Sequence, residues 1–121
     1  MLSISAKHCQ VEFPETVICT FRVKPDAVAA FKDLLGGHWS TLRDLELVTD
    51  TPEQLFIGVD HQGDEPVLVS IFEWVNAEAA DRAHDHPDVA DIWEAMRPLC
   101  ETRHGLPAME FPHFRPLRLG R

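Results

Sequence analysis

The densest group of reactive side chains is His84-Asp85-His86, in a chain with seven His among 121 residues. An imidazole with an ordinary pKa of about 6.5 can take a proton from a phenol near neutral pH and return it without a metal or cofactor. His84 closes the helical segment that follows Trp74, and an inward-pointing side chain there would share a space with Trp74 and Trp93. It is therefore the candidate catalytic base. His86, next to Pro87, should point elsewhere, and a His at a helix end can also simply interact with the terminal carbonyls. An HxH pair is part of many transition-metal sites, but zinc or iron needs at least about three protein ligands. No spacing in the chain supplies the third, so no metal is expected.

Trp39, Trp74 and Trp93 are all the Trp present, and each falls on an element expected to face the space between helices and sheet. Large aromatic walls hold a flat aromatic ligand by stacking and apolar burial, and they equally suit an ordinary core. His38, just after Gly36-Gly37, is a candidate gate or base with an alternative as a loop residue, and His113 is a further candidate for the site. Glu73 lies between Ile71 and Val75 on an apolar strand face and so needs a partner, for which Arg22 on a neighbouring strand is expected. Motifs for nucleotide binding, phosphate binding, the nucleophile elbow and the HExxH metalloproteases are absent.

The elements that must position these groups follow from period and punctuation. Thr16 to Val23 reads as a strand, with Val17, Cys19, Phe21 and Val23 on one face and Thr16, Ile18 and Thr20 on the other. Pro25 and Asp26 open a helix whose apolar stripe is Val28, Phe31, Leu34 and Leu35, and Gly36-Gly37 is expected to break it before a further turn carrying Trp39 and Leu42. Leu45 to Val48 suggests a short strand. Gln54 to Asp60 and Val67 to Val75 suggest a hairpin across the Gly63-Asp64 loop. Asn76 can cap a helix from Ala77 to about His84, and Pro87 starts another running to Cys100. Met109 to Phe114 reads as a terminal strand, with Pro112 requiring an edge or a bulge.

This order predicts an α+β domain, an antiparallel sheet with helices on one face. Val67, Val69 and Ile71 make the second sheet face apolar as well, and the simplest cover is a second copy in a homodimer. An N-terminal extension is expected over residues 1–15, the domain over 16–116 and a basic tail over 117–121. The formal net charge of −9 argues against a nucleic-acid partner. The longest apolar stretch, Val67 to Phe72, is far short of the roughly 20 residues that cross a bilayer, and the first ten residues lack a signal-peptide core. A cytoplasmic location with no membrane partner is expected. Cys9, Cys19 and Cys100 are unclustered, which suggests two core thiols and an exposed one at Cys9.

The chain resembles the antibiotic biosynthesis monooxygenase (ABM) domains of the dimeric α+β barrel superfamily. The resemblance rests on the opening strand with Lys24-Pro25 and its helix, on Val69-Ser70-Ile71-Phe72-Glu73-Trp74 running into Asn76-Ala77-Glu78-Ala79, and on Ala83-His84-Asp85-His86-Pro87 before the Trp93 helix. It implies a ferredoxin-like fold that pairs as a dimeric α+β barrel. It also implies a monooxygenase that needs no cofactor and acts on an aromatic or quinol-like small molecule, or else a non-catalytic ligand-binding or structural homodimer of the same fold. The absence of Tyr removes a phenolic proton donor that some relatives with aromatic substrates use.

Overall fold

A computed structural model describes residues 13–120. In chain order it contains strand β1 (Glu15–Arg22), a 3-10 turn (Pro25–Ala27), helix α1 (Val28–Asp44), strands β2 (Gln54–Val59) and β3 (Pro66–Trp74), helices α2 (Ala79–His84) and α3 (Pro87–Met96), a second 3-10 turn (Arg97–Leu99), and strands β4 (Met109–Glu110) and β5 (His113–Phe114). The sheet runs β2-β3-β1-β4, with β5 also on β1, and every pairing is antiparallel. This is the ferredoxin-like order. Cys9, the expected exposed thiol, lies outside the described residues, as does most of the expected N-terminal extension.

The core follows the strand period. β1 turns Val17, Cys19 and Phe21 inward and β3 turns Leu68, Ser70, Phe72 and Trp74 inward, all buried under the helices. The opposite face carries Ile18, Val67, Val69 and Ile71, which are only half-buried. β2 forms the edge, and Leu55, Phe56, Ile57 and Val59 are 51–64% exposed, so a large apolar surface meets solvent in the isolated chain. None of the described helices is long and apolar enough to cross a membrane.

Several elements differ from the sequence expectation for identifiable reasons. Helix α1 continues through Gly36-Gly37 because Phe31, Leu35, His38 and Leu42 form one buried stripe across the pair. That burial outweighs the roughly 1 kcal/mol that each Gly costs a helix. Leu45 to Val48 is not a strand; only Val48 makes a bridge, to Trp74. The second helix begins at Ala79 rather than Ala77, with Asn76 Oδ1 instead accepting from Glu78 N at 3.1 Å. Helix α3 gives way to a 3-10 turn at Arg97, where Pro98 cannot donate to the helix ladder. Pro112 splits the terminal strand into β4 and β5.

Arg22 does not pair with Glu73. In the β1–β3 register Glu73 lies opposite Thr16 and Arg22 opposite Val67, at the two ends of the ladder. Glu73 instead accepts from the hydroxyls of Thr49 at 2.8 Å and Thr51 at 3.1 Å. Arg22 pairs with Glu110 and with buried Asp60, which also meets Arg103 at 3.3 Å.

The uninterrupted helix has a measurable consequence. Gly36 is exposed, and a Cβ there would meet no atom within 4 Å. Gly36→Ala should raise the unfolding free energy by about 0.5–1 kcal/mol, measured by urea denaturation, whereas a broken helix at this point would give no gain or a loss.

Candidate functional site

A cavity of about 330 Å³ lies between the helices and one end of the sheet. Its floor is the inward face of the central strands, Val17 and Cys19 from β1 with Phe72 and Trp74 from β3. Helices α1, α2 and α3 supply His38, Ala80, His84 and Trp93, and the 3-10 turn after α3 supplies Arg97. Ala108, Met109, Phe111 and His113, from the terminal segment, form the rim. The space exists because α2 presents small Ala80 here, whereas at the other end of the sheet Phe31 packs on Phe21 with ring centroids 4.8 Å apart.

The aromatic groups hold one another in place. Phe72 meets Trp74 edge-on at 5.0 Å, and His38 meets Phe72 edge-on at 5.8 Å. Trp93 Nε1 donates to His38 Nε2 at 2.9 Å. The exposed ring of His84 stands edge-on to Trp93 with centroids 4.6 Å apart, at the mouth of the cavity. Such pairs favour one orientation by about 0.5–1.5 kcal/mol beyond area burial.

Polar character changes with depth. His38 is only 2% exposed, and burial lowers its pKa to about 4, so the ring is neutral at neutral pH. Burial raises the Cys19 thiol to about 12, with nearby Glu53 adding to the shift, so Cys19 is not a thiolate nucleophile. Outside the cavity, burial likewise raises Cys100, to about 11. At the rim His113 Nδ1 lies 3.0 Å from Glu15, and this hydrogen bond, with help from Arg115, lowers the Glu15 pKa.

Of the side chains expected at a site, His84, His38, Trp74, Trp93 and His113 share this cavity, and Trp39 does not line it. Trp39 is half-buried against the core, because it follows His38 directly and so projects from a different side of α1. His86 turns away, and its Nδ1 accepts from Asp88 N at 3.2 Å to cap α3. His38 is not a loop residue but part of the buried stripe of α1, where the expected break at Gly36-Gly37 hides its spacing from Phe31 and Leu35. Arg97 also lines the cavity, and its place four residues after Trp93 is the sequence signal that could have found it. Phe111 and Met109 carried no such signal.

Asp60, Glu65 and His104 bring three potential metal-ligand atoms within 4.8 Å of one another. The Arg103 and Arg22 guanidiniums beside Asp60 oppose a cation there, and the group reads as an ion-pair node remote from the cavity.

The fold defines the class of protein to which the chain is similar. No family model matches the chain, and no curated protein matches it in sequence. Among solved structures it is similar to a variant of SnoaB, a cofactor-independent oxygenase from Streptomyces nogalater, at 19% identity and TM-score 0.64 over 88% of this chain and 96% of that one. It is also similar to a Caulobacter crescentus protein suggested to be an antibiotic biosynthesis monooxygenase, at 11% identity and TM-score 0.63 over 94% of this chain and 99% of that one. A dimeric ferredoxin-like protein of unknown function from Jannaschia aligns at 11% identity and TM-score 0.62 over 85% of this chain and 99% of that one. What the chain shares with these proteins is the ferredoxin-like fold.

The buried neutral His38 makes stability depend on pH in a definite direction. Unfolding returns its pKa from about 4 to about 6.5, so the unfolded chain binds the extra proton first. This contribution is fully present above pH 6.5 and is lost as pH falls toward 4. Between pH 7 and pH 5 the unfolding free energy should fall by about 2 kcal/mol more in the wild type than in His38→Phe, measured by urea titration. Parallel curves for the two proteins would mean that His38 is solvated.

Proposed function

We propose that this chain is a cofactor-independent monooxygenase acting on an aromatic or quinol-like small molecule, with His84 as the base. The observation that carries this reading is the aromatic cavity with an exposed imidazole held against Trp93 at its mouth. The likeness of the fold to SnoaB supports it. Trp74 and Trp93 would hold a flat ring, with His38 and His113 as further contacts, while the apolar floor excludes water. His84 would accept a phenolic or enolic proton, leaving an electron-rich anion that reduces molecular oxygen. For an activated methylene the balance is one CH2 and one O2 giving one carbonyl and one water. The proton taken by the imidazole leaves with that water, and no other reductant is needed.

A second reading, a small-molecule-binding homodimer without catalysis, is favoured by the depth of the cavity, where the one imidazole is neutral and already hydrogen-bonded. Oxygen uptake separates the two. With an anthrone, naphthol and quinol panel and metal-free protein, uptake should accompany binding, and His84→Ala should lower turnover by about 100-fold or more. His86→Ala should leave it unchanged, since His86 only caps a helix. Binding without uptake would select the second reading, and an active His84→Ala would move the base to another group.

We infer also that the chain forms a homodimer through the outer sheet face. Support comes from half-buried Ile18, Val67, Val69 and Ile71 beside exposed Phe56, which lies across from Val69 on that face. Light scattering should report twice 13.7 kDa, and Phe56→Glu should shift the population toward monomer. A wild-type monomer at micromolar concentration would overturn this.

A further inference from the structure

The sheet register builds a carboxylate–imidazole pair into the rim of the cavity. His113 lies opposite Val17 in the β1–β5 pairing, and Val17 is buried under the helices, so His113 shares that face of the sheet. Glu15 stands two residues before Val17 and opposite Trp74, on the same face. His113 Nδ1 lies 3.0 Å from Glu15 Oε1, and Arg115 Nε donates to Oε2 at 3.1 Å. The Glu15 side chain is only 12% exposed, and the His113 hydrogen bond is the chief cause that lowers its pKa. An ionised carboxylate can only accept, so the proton between the two groups belongs to Nδ1. A neutral imidazole then keeps its lone pair on Nε2. The His113 ring lines the cavity with its centroid 6.4 Å from that of Trp74, and its side chain is 31% exposed, so a ligand can reach it.

Strong acceptors are scarce among the side chains that line this cavity. Trp74, Trp93 and Arg97 can only donate, the sulfurs of Cys19 and Met109 accept weakly, and His38 Nε2 already accepts from Trp93. Two imidazoles remain, His84 and His113. No Asp or Glu is among the described lining residues, so Glu15 acts on the cavity through His113. We propose that His113, held by Glu15, accepts at Nε2 a hydrogen bond from a ligand hydroxyl distinct from the group that His84 deprotonates. The inference rests on the reading of the cavity as a ligand site. It narrows the substrate class to aromatic compounds that carry a hydroxyl besides their acidic position, such as dihydroxylated rings. His113 is then a specificity residue. Glu15 is a positioning residue, because the hydrogen bond at one ring nitrogen decides which tautomer the other presents.

Naphthol and fluoronaphthalene, substituted at the same position, test this as rings of nearly the same shape of which only the first can donate. His84→Phe removes the competing acceptor. In titrations of that variant under nitrogen at mildly alkaline pH, naphthol should bind about three- to tenfold more tightly than fluoronaphthalene, the worth of one net hydrogen bond. The double variant His84→Phe with His113→Phe should bind the two alike. In isotope-labelled wild type under the same conditions, magnetic resonance of the ring nitrogens should show His113 protonated at Nδ1 alone, and naphthol but not fluoronaphthalene should shift the Nε2 signal. Glu15→Gln should lose the single tautomer, since an amide can either accept from Nδ1 or donate to it, and a merely structural Glu15 would leave the tautomer unchanged. Equal affinities in His84→Phe, binding of neither compound, a preference that survives in the double variant, or a proton on Nε2 would each overturn the proposal. If the double variant does not fold, the tautomer and the naphthol-induced shift in the wild type decide. The naphthol preference without oxygen uptake from any member of the panel would defeat the enzymatic reading alone. Uptake without the preference would defeat this inference alone.

Discussion

The structure depends on one ladder, the eight antiparallel pairs from Glu15 opposite Trp74 to Arg22 opposite Val67. Its register places Val17, Cys19 and Phe21 beside Leu68, Ser70, Phe72 and Trp74 on one face, so a slip of one residue would exchange core for solvent along both strands. The two ends of the ladder have different fates because different side chains descend on them. Phe31 fills the end near Phe21, with Phe111 adding an edge contact at 5.8 Å. At the other end α2 offers Ala80, and α1 offers His38, leaving the space that becomes the cavity. The candidate site is in this sense where close packing stops.

The filled end is closed by charge. Arg22 from β1 and Arg103 from the segment after α3 both approach Asp60, where the hairpin loop begins, and all three are buried. Backbone carbonyls accept from one guanidinium nitrogen of each, Pro107 from Arg22 and Pro66 from Arg103, both at 2.6 Å, whereas Arg103 Nη1 is buried without a hydrogen-bond partner. Such a node is poor evidence for net stability, but removing one member would strand buried charge at a cost of about 3–5 kcal/mol. Its positional effect is clearer. It holds the chain around residues 103–110 against β1, and that same segment carries Ala108 and Met109 of the cavity rim. The ion cluster and the apolar cavity are opposite ends of one arrangement.

What was legible in the sequence is what local chemistry decides. Alternation in β1 and β3 identified the strands and their inward faces, Pro87 marked the start of α3, and Pro112 marked the interrupted final strand. The gathering of His84, Trp74 and Trp93 could be expected because each lay on an element feeding the same layer. The errors arose where a distant contact outweighed a local preference. Gly36-Gly37 signals a break, but burial of Phe31, Leu35, His38 and Leu42 along one stripe overrides it. Arg22 and Glu73 are on adjacent strands, and only the register reveals that they sit at opposite ends. Trp39 and His38 are sequence neighbours, yet helical geometry sends them to different surroundings, so of the two expected at the site His38 lines the cavity and Trp39 does not.

The cavity divides its chemistry by depth. The exposed side chains of His84 and His113 stand at its mouth and rim with the Arg97 cation, whereas the deep wall holds the buried, neutral ring of His38. A base placed in the depth would meet the same burial that lowers the His38 imidazole to about 4. The separation follows from the fold, since the mouth is built from the ends of α2 and the terminal segment while the depth is built from the middle of α1 and the central strands.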